Sequence, residues 1–227
     1  MLELSSHLRR LSVRFAACAV ALLGFTASVF ASPALPEGGV LNFWVVRDGV
    51  PIGSHVMKFK EAGSRLDVDI LTDVRVKMAF ITVYRFWHEG REQWQDGKML
   101  GLQSKTDDDG VAHDLIVERK GERFRSVDKG KAVFDSDASI LPASLWHPGI
   151  VKPAKSAVLN TLDGTEMAIQ AVLAGEDEVK GLKGPVKARH YVIKGQLERE
   201  LWFDPDNVLV KVRFKGKDGS DIQYVLR

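Results

Sequence analysis

The sequence predicts an all-β protein: a single strongly curved antiparallel sheet, such as a half-open β-barrel or β-roll, of about ten to twelve strands with at most one or two short helices. Three observations predict it. Apolar residues recur with a period of two from Gly39 onward, dipeptides such as Asp-Gly that favour tight hairpin turns recur along the chain, and helical periodicity is scarce. The composition, 45% hydrophobic and 27% charged, is that of an ordinary globular protein and excludes disorder, collagen-like repeats and a disulfide scaffold.

The first element, residues 1–31, has the features of a secretory signal peptide. Three arginines precede an apolar run from Phe15 to Phe25, and Ala31 stands where a signal peptidase reads small residues. The run is shorter than the about 18 residues that span a bilayer, which favours cleavage over a retained anchor. The predicted organisation is therefore a signal peptide at 1–31 and a single β domain at 32–227, exported to the periplasm and soluble after cleavage.

Removing the signal peptide changes the charge and the cysteine content. The remaining chain carries equal numbers of basic and acidic side chains and no cysteine. A neutral chain provides no basic face for nucleic acid, so no nucleic-acid partner is expected. A chain without thiols excludes a cysteine nucleophile, a disulfide and a thiolate metal site.

The clearest strand pattern runs from Leu66 to Phe80. Seven of its eight even positions are apolar and five of its seven odd positions are charged, so one face is expected to pack on a core and the other to meet water. A strand of this length must bend or break, which favours a curved sheet over a flat sandwich. The same alternation returns from Val208 to Lys215.

The middle of the chain interrupts the strand pattern, because residues 136–156 contain three prolines. Two organisations remain open: two domains divided here, or one sheet with a long connection. One sheet is preferred because each half alone would expose strand edges. The best candidate for a helical turn is Pro142–His147, with proline at its first position.

Catalytic and metal-binding patterns are weak. No histidine has a metal-binding spacing, and each is expected to be a surface or strand-edge imidazole. The run Thr106–Gly110 resembles a calcium loop but lacks the required ligands at both ends, so we interpret it as a hairpin turn. Two serine–histidine pairs, Ser54 with His55 and Ser144 with His147, lie outside a nucleophile elbow. No catalytic residue, metal or cofactor is therefore predicted.

The most distinctive local feature is the density of aromatic residues between Phe80 and Trp94. Strand phase places Tyr84 and Phe86 on one face and Trp87 on the other. These rings either pack in two ordinary layers or line a concave apolar pocket. Arg85 can face a ligand carboxylate or phosphate. The candidate ligand-binding residues are Tyr84, Arg85, Phe86, Trp87, Trp94, Trp146 and Trp202.

Three groups of residues carry a family resemblance. They are Ile81–Phe86 with Glu92, Trp94 and Asp96-Gly97; Leu141–Trp146 with Asn160–Gly164; and Glu200–Asp204 with Asp218–Ser220 and Tyr224. Together they resemble domain-of-unknown-function family 6134, a family of uncharacterised exported Gram-negative proteins. The hairpin Asp48–Gly53 is similar, more distantly, to that of other periplasmic β proteins of unknown function. The resemblance implies a fold similar to the half-open β-barrels of periplasmic lipoprotein carriers, and it implies no activity.

Three functions remain open. The preferred one is a periplasmic protein that binds or carries an apolar or amphipathic, lipid-like ligand, which the curved sheet, the aromatic run and the export signal favour. The second is an envelope structural or assembly factor that acts through protein contacts. The third is a hydrolase, which requires Ser144, His147 or His88 to converge with a carboxylate in one cleft.

Overall fold

The structure, a computed structural model, describes residues 35–153 and 156–227, which form one fifteen-stranded sheet with two short 3-10 helices. The predicted signal peptide lies outside the described residues. The 3-10 helices are Glu37–Gly39 and Pro148–Val151. The strands are β1 (Val40–Arg47), β2 (Val50–Ala62), β3 (Arg65–Met78), β4 (Ile81–Gln95), β5 (Lys98–Asp108), β6 (Val111–Lys120), β7 (Arg123–Asp128), β8 (Lys131–Asp137), β9 (Leu141–Pro142), β10 (Ala157–Leu159), β11 (Glu166–Gly181), β12 (Gly184–Gly195), β13 (Arg199–Phe203), β14 (Leu209–Lys215) and β15 (Asp221–Leu226).

The strand order is β8-β7-β6-β5-β4-β3-β2-β1-β15-β14-β13-β12-β11-β10-β9. Neighbouring strands are antiparallel except β9 and β10, which are parallel. The first and last strands pair in the middle of the sheet, with Phe43 opposite Leu226, so both halves of the chain belong to one sheet. The predictions of an all-β antiparallel fold and of no more than two short helices are confirmed for the described residues.

The predicted number of strands and the predicted strong curvature are wrong. The sheet has fifteen strands, is open between β8 and β9, and is neither closed nor strongly curled. The count was too low because β3 and β4 are joined at Ala79-Phe80, a turn without a typical turn residue, and because β9 and β10 have only two and three residues. The predicted helical turn at Pro142–His147 is also wrong, since the 3-10 helix begins at Pro148 and His147 is its N-cap.

The longest hairpin explains why a long strand did not require a curled sheet. Strand β3 pairs with β2 only as far as Val74, and β4 pairs with β5 only from Phe86. Residues 75–84 therefore form a two-stranded ribbon that extends past the neighbouring strands. We call these residues the β3–β4 ribbon.

The core lies on one face of the sheet, beneath the connection between β8 and β11. Trp146 and Leu159 of this connection are buried in the same apolar cluster as Phe43 in β1. Ser104 Oγ in β5 donates a hydrogen bond of 2.6 Å to the carbonyl oxygen of Thr161. The proline-containing segment is therefore part of the core rather than a solvated linker.

Candidate functional site

Five polar residues form one row across the core-facing side of β2 to β6. Strand pairing sets them opposite one another in the order His55, Thr72, His88, Thr106 and His113. The first four are buried, so the prediction of surface or strand-edge imidazoles is wrong for His55 and His88. We call this set the histidine–threonine row.

Two histidines of the row, His55 and His88, are bonded to its threonines. A hydrogen bond of 2.7 Å joins His55 Nδ1 to Thr72 Oγ1, and one of 2.8 Å joins His88 Nδ1 to Thr106 Oγ1. Burial, with a smaller contribution from His88, lowers the pKa of His55 to about 3. Burial likewise lowers the pKa of His88 to about 4. Both rings are therefore neutral at neutral pH, and each keeps Nε2 for a further hydrogen bond.

The row separates two apolar clusters. On β3, Ile70 before Thr72 belongs to the large core cluster, whereas Val74 after it belongs to a smaller cluster with Val45 and Ile222. Polar side chains thus cross the interior at one level, with apolar surface on both sides. Such a level can hold the junction between the polar and apolar parts of a ligand.

A crevice of about 280 Å³ opens over this row. His55, Thr72 and His88 line it on the sheet, and the connection between β8 and β11 closes one side. Its walls combine apolar side chains with polar ones, of which Arg199 and Tyr224 are the largest. The apolar wall residues include Ile70, Phe86, Leu145, Leu162, Met167 and Leu197.

Arg199 is the only arginine that lines the crevice among the described residues, and it is half-buried. Its guanidinium lies 4.0 Å from the centre of the Phe214 ring, and Nη1 donates to the carbonyl oxygen of Glu198 at 2.7 Å. Burial lowers the pKa of Arg199, and the Tyr224 phenol partly opposes this shift. Within residues 35–153 and 156–227 no carboxylate forms an ion pair with it. A cation desolvated in this way favours an anionic ligand group as its counter-ion.

Tyr224 completes the polar side of the crevice. Its ring centre lies 4.8 Å from that of His55, which places the phenol beside the histidine–threonine row. Burial raises the pKa of Tyr224, so the phenol stays neutral and can donate a hydrogen bond at neutral pH.

The predicted residues of the aromatic run occupy different environments. Phe86 lines the crevice and stacks on His88, with ring centres 6.3 Å apart. Tyr84, next along the same face of β4, packs in the smaller apolar cluster and donates a hydrogen bond of 2.7 Å to Asp108. Arg85 is exposed and Trp87 is half-buried. Phe86 is therefore the one predicted residue that the structure places at the crevice.

Trp94 and Trp146 lie in a filled part of the core. Their rings meet edge to face at 5.5 Å, and their indole N–H groups donate to Oε2 of Glu92 at 3.0 and 2.9 Å. Glu92 is fully buried, and burial raises its pKa against the opposing effect of polar neighbours, including the two indole hydrogen bonds. This cluster attaches the connection to β4.

Trp202 lies in the second half of the sheet. Its ring stacks on His190 at 4.2 Å, the Lys211 ammonium lies 4.6 Å from the ring centre, and Nε1 donates to Asp177. The seven predicted residues therefore do not share one wall. A ligand-binding role for them stays a prediction.

The crevice contains two of the groups that the hydrolase hypothesis requires, His88 and Ser144. However, Nδ1 of His88 is bonded to Thr106, and Nδ1 of His147 accepts a hydrogen bond from the backbone N–H of Gly149. Among the described residues, no set of three histidine, cysteine, aspartate or glutamate side chains is placed to hold a metal ion. Within the same residues, no helix has the length and hydrophobicity needed to cross a membrane.

Sequence reasoning did not include His55, His88 and Arg199 among the candidate ligand-binding residues. A signal for the histidines was present, because His55 alternates in phase with Met57 and Phe59, which are buried. Period-two alternation therefore identifies these imidazoles as core-facing. Arg199 had no such signal, since its partial burial depends on elements that are distant along the chain.

Comparison with known proteins gives a family and a fold. A family model described as "Domain of unknown function (DUF6134)" matches residues 43–227. No curated protein matches the chain. Among solved structures, the chain is similar to a beta-barrel-like protein of domain of unknown function DUF1849 from Brucella abortus, with a TM-score of 0.59 and 11% identity over 83% of this chain and 95% of that chain. A likeness at this identity concerns the fold alone.

Proposed function

The chain belongs to the DUF6134 family, a family of unknown function, and we propose that it is an exported periplasmic protein that binds a single-chain amphipathic, lipid-like ligand with an anionic head group. The observation that carries this proposal is Arg199: a half-buried guanidinium, without a carboxylate partner among the described residues, that lines a crevice whose wall also carries large apolar side chains.

The apolar part of the ligand follows from the walls. Side chains from both halves of the sheet and from the connection, such as Phe86, Leu162 and Leu197, line the crevice. Its volume of about 280 Å³ is just below the usual range of about 300–1,000 Å³ for small-molecule sites. The size therefore favours one acyl chain over two.

The polar part follows from three groups on the wall. Arg199 supplies a positive charge, and Tyr224 and His55 supply neutral hydrogen-bonding groups within the same crevice. A carboxylate or phosphate would pair with the guanidinium through charge-assisted hydrogen bonds and would offset the cost of burying it.

Periplasmic location is part of the proposal and rests on the N-terminal sequence. The arginines of residues 1–31, the apolar run and the small residue at position 31 are the features that an export system recognises. The hydrolase hypothesis is not favoured by the described contacts, because the imidazoles of His55 and His88 each bond a threonine hydroxyl rather than Ser144.

The test measures binding of laurate and of dodecanol, which share a chain length and differ in charge, by isothermal titration calorimetry. Arg199→Gln should weaken laurate binding at least tenfold and leave dodecanol binding unchanged, because a hydrogen bond to a charged group contributes about 1.5–3 kcal/mol. Arg213→Gln is the matched control, since Arg213 is already paired with Asp221 at 2.7 Å.

Absence of laurate binding to the wild type, or an equal loss in the Arg199 and Arg213 variants, would contradict the proposal. Circular dichroism of each variant shows whether the sheet is intact.

A further inference from the structure

The β3–β4 ribbon, residues 75–84, projects past the strands on either side of it in the sheet. Its strands pair with each other and do not pair with β2 or β5. Four residues on each side of the two-residue turn correspond to roughly 13 Å at about 3.3 Å per residue. The tip therefore lies beyond the ends of the paired regions of β2 and β5.

The tip of the ribbon is apolar and exposed. Met78 is 68% exposed, Phe80 100%, Ile81 70% and Val83 45%. Contiguous exposed side chains of this size are rare on soluble proteins unless they contact a partner or a membrane.

The turn that carries them is locally unfavourable. Ala79 has a φ of +53°, a region that non-glycine residues seldom adopt, and the next residue is Phe80 rather than the glycine that such turns prefer. Departures from local sequence rules concentrate at functional sites. The turn therefore places a large ring at the tip at the expense of backbone stability.

Positive charges surround the apolar tip. The sequence has no acidic residue between Asp73 and Glu89, whereas it has Arg75, Lys77 and Arg85. Arg75 and Arg85 face each other across the strands, an arrangement of like charges that destabilises an isolated hairpin.

The acidic groups near these cations lie at the base of the ribbon. Asp73 pairs with Arg75 at 3.1 Å, and an Asp109 carboxylate oxygen accepts a hydrogen bond of 3.4 Å from the backbone N–H of Arg85. Within residues 35–153 and 156–227, Lys77 forms no ion pair. The positive potential is therefore uncompensated toward the tip.

We infer that the β3–β4 ribbon docks on an anionic lipid surface, with Phe80 and Ile81 inserted and Arg75, Lys77 and Arg85 at the level of the head groups. Apolar side chains that enter the acyl boundary, flanked by cations that attract acidic lipids, are the two components of interfacial membrane binding. This inference is independent of the ligand proposed for the crevice, because it rests on residues of the ribbon and on Arg85 next to it, none of which the proposed ligand site uses.

The test is co-sedimentation of the full chain with protein-free vesicles of phosphatidylcholine, alone or mixed with phosphatidylglycerol. Phe80→Ser/Ile81→Ser should reduce binding to the mixed vesicles at least tenfold. Leu100→Ser/Leu182→Ser is the matched control, because each leucine is 43% exposed and lies outside the ribbon. All variants carry the same N-terminal segment, so its contribution to vesicle binding is common to every measurement.

Lys77→Gln tests the charge. It should weaken binding to the mixed vesicles about fivefold, which corresponds to about 1 kcal/mol for one cation near an anionic surface. It should have no effect with phosphatidylcholine alone.

Three results would overturn the inference: no binding of the wild type to mixed vesicles, as expected if the ribbon docks on a protein; equal binding by the Phe80/Ile81 variant; or equal binding to the two kinds of vesicle. Urea unfolding of each variant separates loss of binding from loss of folding.

Discussion

The two buried histidines of the crevice should make the stability of this protein depend steeply on pH. In the folded protein the pKa of His55 is lowered from 6.5 to about 3 and that of His88 from 6.5 to about 4. A group with a lowered pKa contributes full stability above its unfolded value, here about 6.5. This contribution to the free energy of unfolding is lost as the pH falls. The reason is that the unfolded chain then binds a proton at each histidine, whereas the folded chain does not.

The magnitude follows from these values. At pH 5 an unfolded imidazole is almost fully protonated, whereas both folded imidazoles are almost fully neutral. Lowering the pH from 7.5 to 5 should therefore reduce the free energy of unfolding by about 2 kcal/mol for each histidine, or about 4 kcal/mol for the pair.

Other buried or paired acidic residues change the free energy of unfolding either outside this pH range or equally in the wild type and the histidine variants. Asp69, Asp128 and Asp221 have lowered pKa values, and in the unfolded chain they titrate near 3.8, below the range. Glu92 has a raised pKa, so its protonation stabilises the folded state as the pH falls, in the opposite direction. It is unchanged in histidine variants.

The assay is urea unfolding followed by tryptophan fluorescence at pH 7.5 and at pH 5. On acidification from pH 7.5 to pH 5, the double variant His55→Gln/His88→Gln should lose about 4 kcal/mol less free energy of unfolding than the wild type. His113→Gln/His190→Gln is the control, because these imidazoles bond Asp128 and Glu200 and are less buried; it should keep the loss due to His55 and His88. If the first variant loses as much stability on acidification as the wild type, the reasoning is refuted.

Two further predictions concern packing, and each is measured by urea unfolding at pH 7.5. Glu92→Ala should lower the free energy of unfolding by about 3 kcal/mol, because it leaves the indole N–H groups of Trp94 and Trp146 without an acceptor. Glu92→Gln keeps an acceptor oxygen and should lower it much less. Equal losses in the two variants would contradict the role of Glu92 as the acceptor of these hydrogen bonds. Gly53→Ala would place Cβ 2.1 Å from a backbone oxygen of β3 and should cost about 2 kcal/mol or more. Gly97→Ala is the control: its Cβ would have no atom within 4 Å, and only the φ of +71° is unfavourable, so it should lower the free energy of unfolding by about 1 kcal/mol. A similar loss at Gly53 and at Gly97 would show that the close contact between Gly53 and β3 is not rigid.

The fold class could be predicted because a strand leaves a local signal. The alternation from Leu66 onward places the even residues of β3 toward the core as far as Val74, as the structure shows. Asp-Gly at 96–97 and at 109–110 forms hairpin turns in which both residues have positive φ. Where the turn residues were atypical, at Ala79-Phe80, the same reasoning extended the strand to Phe80, although β3 ends at Met78.

The candidate site was predictable only in part. Aromatic density directed attention to β4, where Phe86 does line the crevice. The same signal also selected Trp94, which fills the core against Trp146, because composition does not distinguish a pocket wall from a packed interior. The burial of His55 was encoded in the phase of its strand.

The sequence by itself determined the family, the antiparallel strands and the face of each strand that turns inward, because these depend on the order of residues within a few positions. Only the tertiary structure decided that a crevice exists and that Arg199 faces it. The crevice forms where the connection between β8 and β11 lies over the histidine–threonine row, while β13 and β15 bring Arg199 and Tyr224 beside the row. Contacts between segments so far apart along the chain depend on how the whole sheet pairs, and no local pattern records them.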